Sequence, residues 1–359
     1  MPDCKDIGVY PLGQTSHSEE MWRRLQEKSP YPLSVMMSLT GRCNARCGHC
    51  ELVLEQTDCD ELSLPEISAM LDQLQNVGVL SLTFTGGEPC LRDDLADIVA
   101  HAVAKRFYVT LKTNGSLLHE VLARSLIDAG LGGIHISIYH DYPSLHDEFV
   151  GIEGAWSRAM NAAFVMRKLG VRVQLSLIAM NWNADAIFRL VEYCRKQQFA
   201  FMIDTQISSR RGNDRSSLSY QASTEQIEAL LCDPGLLDKS SQMGSLLRKP
   251  VDSVCGAAVH SCYIHHNGEV WPCGRLPFSM GNLTSTNFKD IWLTSAVREQ
   301  VLNTRWQSLP KCKSCEVSGL CSRCLAGAHP EQGVYVSPDP RECAAALAVA
   351  RLIGHDRNG

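Results

Sequence analysis

Sixteen cysteines stand among 359 residues, and their spacing says more than their number. Cys43, Cys47 and Cys50 form a C-x3-C-x2-C run. Three thiolates from one compact loop can bind three irons of a 4Fe–4S cluster. With no fourth cysteine in the loop, one iron is left for a ligand from outside the protein, and an open metal position is where chemistry happens. Zinc, or a closed cluster completed by Cys59 or Cys90, is the alternative. Zinc usually takes paired C-x2-C knuckles, and no second knuckle lies nearby. Eight more cysteines follow: Cys255, Cys262, Cys273, then Cys312-x2-Cys315-x5-Cys321-x2-Cys324, and last Cys343. Eight thiols suffice for two four-cysteine clusters. Taken alone, their C-x2-C knuckles suit zinc equally. Cys4, Cys59, Cys194 and Cys232 fit neither group and read as structural, and Cys90 reads first as a small apolar side chain.

Something must hold these thiols in place, and the sequence between them alternates strand and helix signals. Apolar runs at Leu33–Leu39, Leu80–Thr85, Phe107–Lys112, Gly133–Ile138, Val171–Ala179 and Phe199–Thr205 read as six strands. Between them lie segments with helical spacing. The first opens on Ser63-Leu64-Pro65-Glu66, a capping box with proline in its first turn. The others are Leu95 to Ala102, Leu117 to Ala129, Trp156 to Leu169 and Ala184 to Gln197. Such alternation implies a parallel sheet covered by helices. Six units are too few to close an eight-stranded barrel, so the expected fold is α/β, a partial (βα)6 barrel with its site where strands end and loops begin. The expected division is an N-terminal extension over 1–30 with one short helix near Glu19 to Glu27, a barrel over 31–240, and a cysteine-rich domain over 241–359. In that last part His266-Asn267-Gly268-Glu269 reads as a hairpin turn, and Ala344 to Leu352 as a closing helix.

The totals exclude some functions. Net charge is −5 and apolar residues make up 45%, which gives a sizeable core and no basic surface for nucleic acid. Met1 to Tyr10 lacks the apolar stretch of a secretory signal, and the run Cys343 to Ala350 is too short to span a bilayer. The expectation is a cytoplasmic protein without membrane or nucleic-acid partners.

Two motifs together carry a resemblance. The cysteine run follows the first strand, and Gly86-Gly87-Glu88-Pro89 ends the second. This resembles the radical S-adenosylmethionine (SAM) superfamily. The resemblance implies that SAM chelates the open iron and that one electron splits it into methionine and a 5′-deoxyadenosyl radical, which abstracts hydrogen from a substrate. It also implies that Gly86, Gly87, Glu88 and Pro89 meet the SAM amino group, and that Ser137 lies near the ribose. Asn114, in Thr113-Asn114-Gly115, either faces SAM or is a simple turn residue. Tyr139 and His140 depart from the Asp-Gly common in relatives, and Val150 stands where many carry arginine.

The later cysteines resemble the SPASM extension of that superfamily, with one spacing changed, since two residues rather than three separate Cys321 and Cys324. The resemblance implies one auxiliary cluster on Cys255, Cys262, Cys273 and Cys324 and a second on Cys312, Cys315, Cys321 and Cys343. The cofactors expected are therefore SAM and three 4Fe–4S clusters, with flavodoxin or ferredoxin as electron donor. Ser137-Ile138-Tyr139, with His146-Asp147 and Gly151-Ile152-Glu153-Gly154, is similar to the branch that modifies ribosomal peptides. Gly274, where sulfatase-maturing relatives carry aspartate, points away from that branch. Ile203-Asp204-Thr205-Gln206-Ile207, followed by Arg210-Arg211-Gly212, is also similar to peptide maturases or is a solvated polar loop. A precursor peptide is the expected substrate, and a separate leader-recognition protein is an expected partner because the N-terminus is short. Oxidation or decarboxylation of a small molecule such as a tetrapyrrole is the runner-up, and a non-catalytic iron–sulfur or zinc binding module is a third reading.

Overall fold

Leu82 and Phe84 point one way from their strand, Thr83 and Thr85 the other, and this contrast repeats through the fold. The computed structural model describes residues 20–21, 23–24, 30–52, 61–210, 214–232, 253–321, 323–326 and 338–352. Cys4, Cys59, Arg211, Gly212 and most of the short helix expected near Glu19 to Glu27 lie outside them. The first half runs β1 (Ser34–Ser38), α1 (Leu64–Asn76), β2 (Ser81–Thr85), α2 (Leu95–Ala104), β3 (Tyr108–Thr113), α3 (Glu120–Asp128) and β4 (Gly133–Ile138). It continues through α4 (Pro143–Val150), α5 (Ala155–Lys168), β5 (Arg172–Ile178), α6 (Ala184–Gln197), β6 (Ala200–Asp204) and α7 (Thr224–Cys232). Then come β7 (Ser261–Ile264), β8 (Glu269–Trp271), β9 (Gly281–Asn282), α8 (Phe288–Thr294), α9 (Ala296–Asn303) and α10 (Pro340–Leu352).

These strands make one nine-stranded sheet in the order β6-β5-β4-β3-β2-β1-β7-β8-β9. The first seven are parallel, and β8 and β9 are antiparallel. The cysteine-rich region therefore begins on the flank of β1, with Cys262 beside Val35. Side chains alternate across a strand. On one face Val35, Phe84, Leu111, Ile136 and Leu175 are buried under the helices with Leu71, Ile98, Leu126 and Leu190. The other face carries Ser34, Ser38, Thr83, Thr110, Lys112, His135, Ser137, Gln174 and Ser176. With helices covering only the apolar face, the sheet curls into a partial barrel with the polar face inside. Lys112 on β3 and Asp204 on β6 are three strands apart, about 14 Å on a flat sheet. Here they feel each other's charge across the lumen.

Local signals set several boundaries. The Glu66 carboxylate accepts from the Ser63 N–H at 2.8 Å and its hydroxyl at 2.6 Å, which closes the expected capping box over α1. Helix α3 starts at Glu120 rather than Leu117, because Gly115 to His119 form the turn that leaves β3. Leu118 N bonds Gly115 O, and His119 Nδ1 caps the helix by accepting from Leu122 N. Helix α10 starts at Pro340, earlier than expected, with proline in its first turn. Helix α4, unexpected from the sequence, opens on Pro143 and ends at Gly151 with φ +71, the left-handed cap glycine favours. Among the described residues no helix is long and apolar enough to cross a membrane.

The two faces predict two responses. Leu82→Ala should cost about 2–5 kcal/mol, since it opens a cavity under α1 and α2. Thr83→Ala, on the lumen face, should cost less than about 1 kcal/mol. Urea unfolding of both variants checks this, and equal losses would contradict the two-faced sheet.

Candidate cluster and cofactor site

The loop of Cys43, Cys47 and Cys50 leaves the end of β1 and is clamped from four directions. Behind it, Gly87 N donates to Thr40 O at 2.9 Å and Glu88 N to Arg42 O at 2.8 Å. The approach is so close that a Cβ on Gly87 would stand 2.1 Å from the Arg42 carbonyl oxygen. Only glycine permits this contact. To one side, Asn114 Nδ2 donates to Asn44 Oδ1 at 2.9 Å, and Asn44 Nδ2 to Ser116 Oγ at 2.9 Å. At the middle of the loop Arg46 N donates to Val150 O at 2.9 Å, so α4 helps to hold it. On the last side Arg210 Nη2 donates to Gly48 O at 3.0 Å, and His49 stacks on Phe149 with 5.4 Å between centroids.

Glu88 is fully buried and its carboxylate serves the frame. Oε1 accepts from Cys90 N at 3.0 Å and Thr113 Oγ1 at 2.7 Å, and Oε2 accepts from Asn114 N at 2.8 Å. Burial pushes this carboxyl up, against those three donors. The Gly86–Pro89 turn is thus fastened to the end of β3. Asn114 spends its amide on Asn44 and Ser116, the turn-residue role. Ser137 lies on the lumen face of β4, against the hydroxyl of Tyr139, which also touches the Cys47 thiol. His146 and Asp147 work locally: His146 Nδ1 accepts from Tyr139 N, and Asp147 accepts from Gly154 N and Trp156 N.

The three thiols are a fitting donor set for a cluster. Burial pushes Cys43 up to about 11 and Cys47 up to about 12, and the Cys50 charge opposes ionisation of both. Three neighbouring thiolates, Cys47 buried and Cys43 and Cys50 half-buried, need a positive centre to take their charge. Among the described residues no three His, Cys, Asp or Glu side chains converge on a single ion. A cluster spreads its thiolates over separate irons and does not require that.

The C-terminal cysteines fall into groups as well. Burial raises Cys273 to about 11, and the neighbouring charges of Cys324 and Cys255 raise it too. Cys321 is raised to about 12, chiefly by burial, with Cys343 and Cys312 adding to it. Cys343 in turn feels Cys312 and Cys315. Arg323 Nη1 donates to Cys312 Sγ at 3.3 Å. Cys262, 3% exposed, packs in the main core, whereas Cys255, Cys273, Cys312 and Cys321 pack against a second apolar cluster.

Between the two regions lies a polar lumen that the sequence did not reveal, because its residues come from distant strands. Arg275, two residues after Cys273, makes an ion pair with Asp204 and donates to Gln206 O at 3.2 Å. Gln206 Nε2 donates to Glu342 Oε1, which also accepts from Cys324 N, both at 2.7 Å. Lys112 reaches the same space. Its amine is lowered by burial, feels Asp204, Arg275, Glu51 and Cys273, and has no hydrogen-bond partner among the described residues. His135 pairs in register with Lys112 and is pushed down to about 4 by burial and then by the Lys112 charge. The alternation of β3 was the one available sign that Lys112 faces inward.

The sequence profile of the radical SAM superfamily matches residues 37–194, and that of the SPASM iron–sulfur cluster-binding domain matches residues 255–316. An AdoMet-dependent heme synthase of Oleidesulfovibrio alaskensis is 27% identical, covering 92% of this chain and 92% of that protein. A PqqA peptide cyclase of Gluconobacter oxydans is 27% identical over 79% of this chain and 83% of its own. Among solved structures, anSMEcpe with bound AdoMet superposes with a TM-score of 0.70 at 17% identity, covering 90% of this chain and 99% of that one. Streptococcus suis SuiB bound to its precursor peptide SuiA gives 0.67 at 16% identity, over 91% and 80%.

Gly87→Ala should displace the Arg42 carbonyl and with it the cysteine loop. The expected result is loss of about four irons per chain after anaerobic reconstitution, with circular dichroism unchanged. Full iron content in this variant would show that the glycine contact does not hold the loop.

Proposed function

The chain belongs to the radical SAM superfamily and carries a SPASM extension, and on that premise we propose that it oxidatively modifies, most simply by cross-linking, a ribosomally made precursor peptide. When bound, SAM and the cluster on Cys43, Cys47 and Cys50 supply a 5′-deoxyadenosyl radical that takes a hydrogen atom from the substrate. The chain's own residues do the rest. Gly86 and Gly87 offer backbone to SAM at the loop they fasten, and Ser137 offers a hydroxyl from β4. We place the boundary between barrel and extension near residue 240.

The observation that carries the peptide reading is the free edge of β6. Asp204 O accepts from Ala179 N, so Ala200, Met202 and Asp204 direct their backbone groups to β5. Phe201 and Ile203 turn theirs outward, where no strand pairs among the described residues. An extended peptide laid there would add a strand. Its next residues would reach Asp204, Gln206 and Arg275 at the lumen. The PqqA peptide cyclases among the relatives support this reading.

A second reading, modification of a tetrapyrrole, draws on the heme synthases, which match over more of both chains. Lys112 and Arg275 would suit its carboxylates.

Reconstituted protein with dithionite and SAM should release 5′-deoxyadenosine; none would sink the radical reading. Co-expression with the short reading frames beside the gene should give a peptide lighter by two hydrogen atoms or more. An unmodified peptide, with carbon dioxide lost from a tetrapyrrole propionate instead, would favour the second reading. Lys112→Met should weaken binding of whichever carboxylate-bearing substrate turns over by about tenfold, measured as a rise in KM.

A further inference from the structure

Strand β7 decides the role of one of the eight C-terminal cysteines. Cys262 stands beside Val35 and Ile264 beside Met37. By alternation these side chains share the helix-facing side, and Ser261 and Tyr263 take the other. Cys262 accordingly packs in the main core. Its one charged neighbour among the described residues is Arg298. That guanidinium is itself committed, donating to Ala258 O at 3.0 Å and lying 4.3 Å over the Trp292 ring. Burial pushes the Cys262 thiol far up, with no other cysteine charge nearby to affect it.

The remaining seven cysteines divide unevenly. Cys321 has Cys312 and Cys343 as neighbours, and Cys343 has Cys312 and Cys315, which links these residues into a set of four. Cys255 and Cys324 gather at Cys273 and make three. Of the other described cysteines, Cys90 bonds at the Glu88 turn, Cys194 is buried in α6 and Cys232 ends α7.

We infer that Cys262 is a core residue, that Cys255, Cys273 and Cys324 alone hold the first auxiliary cluster, and that one of its irons takes a donor from outside the chain. This departs from the four-cysteine set that the resemblance implies. The lumen beside this site carries both signs of charge: Arg275 is ion-paired with Asp204, and the Glu342 carboxylate accepts from Cys324 N at 2.7 Å. The inference rests on the cluster reading of these cysteines and not on the identity of the substrate.

The test uses the full-length chain, reconstituted anaerobically. Cys262→Ala should keep the iron and sulfide content of the unaltered protein, and Cys255→Ala should lose about four irons. Cys262→Val fills the same core volume and gives the same answer if the alanine variant does not fold. In a Cys43→Ala/Cys47→Ala/Cys50→Ala variant reduced with dithionite, 13C-labelled cyanide should show hyperfine coupling to an auxiliary cluster. Two results would overturn the inference: Cys262 variants that lose as much iron as Cys255→Ala, or absence of the 13C coupling. None of these readouts requires turnover, so failure here and failure to cleave SAM are separate outcomes.

Discussion

Burying several thiols side by side is unfavourable for the charged form of each, and the fold is built around that constraint. Desolvation and mutual repulsion raise Cys43, Cys47, Cys273 and Cys321 to values where an isolated side chain would stay protonated. A metal cluster reverses the balance by placing positive charge among them. The loops that carry these cysteines rest on small apolar clusters, one around Ala45, Tyr139 and Val150 and one around Val254, Leu309 and Leu325, and backbone contacts and polar side chains fix their position. This accounts for the density of hydrogen bonds around Asn44, Glu88 and Asn114.

The same residues explain why the motif reads as it does. Gly87 is set by contact with the Arg42 carbonyl. Glu88 is set by three donors at the ends of β2 and β3. Each fastens the cysteine loop that leaves β1. The lumen is organised similarly, with Asp204, Gln206 and Glu342 linking the end of β6 to Arg275 and Cys324.

Much of this was legible in the amino-acid sequence. Six strands with period-two burial announce themselves, because one face of each is packed under helices. The Ser63–Glu66 box and the Asn267-Gly268 hairpin are local events, decided by neighbouring residues. Two kinds of feature escaped. Helix α4 is short, is bounded by Pro143 and Gly151, and packs only Phe149 and Val150 at its end against the cluster beside the cysteine loop, too little for a helical period to show. The direction of the Cys262 side chain depends on register with β1, which spacing along the chain does not encode. Lys112 escaped for a related reason, since an inward lysine on a strand is visible only once the sheet has curled.

β1 is shared between the two halves of the molecule. Its end launches the SAM-site loop and its flank carries β7, the root of the cysteine-rich extension. The backbone ladder across that seam ties the two cysteine-bearing regions to one strand, so the spacing between them is set by strand pairing. For protein engineering the corollary is practical: transplanting this extension onto another barrel means matching the recipient's first strand, residue for residue, along the seam.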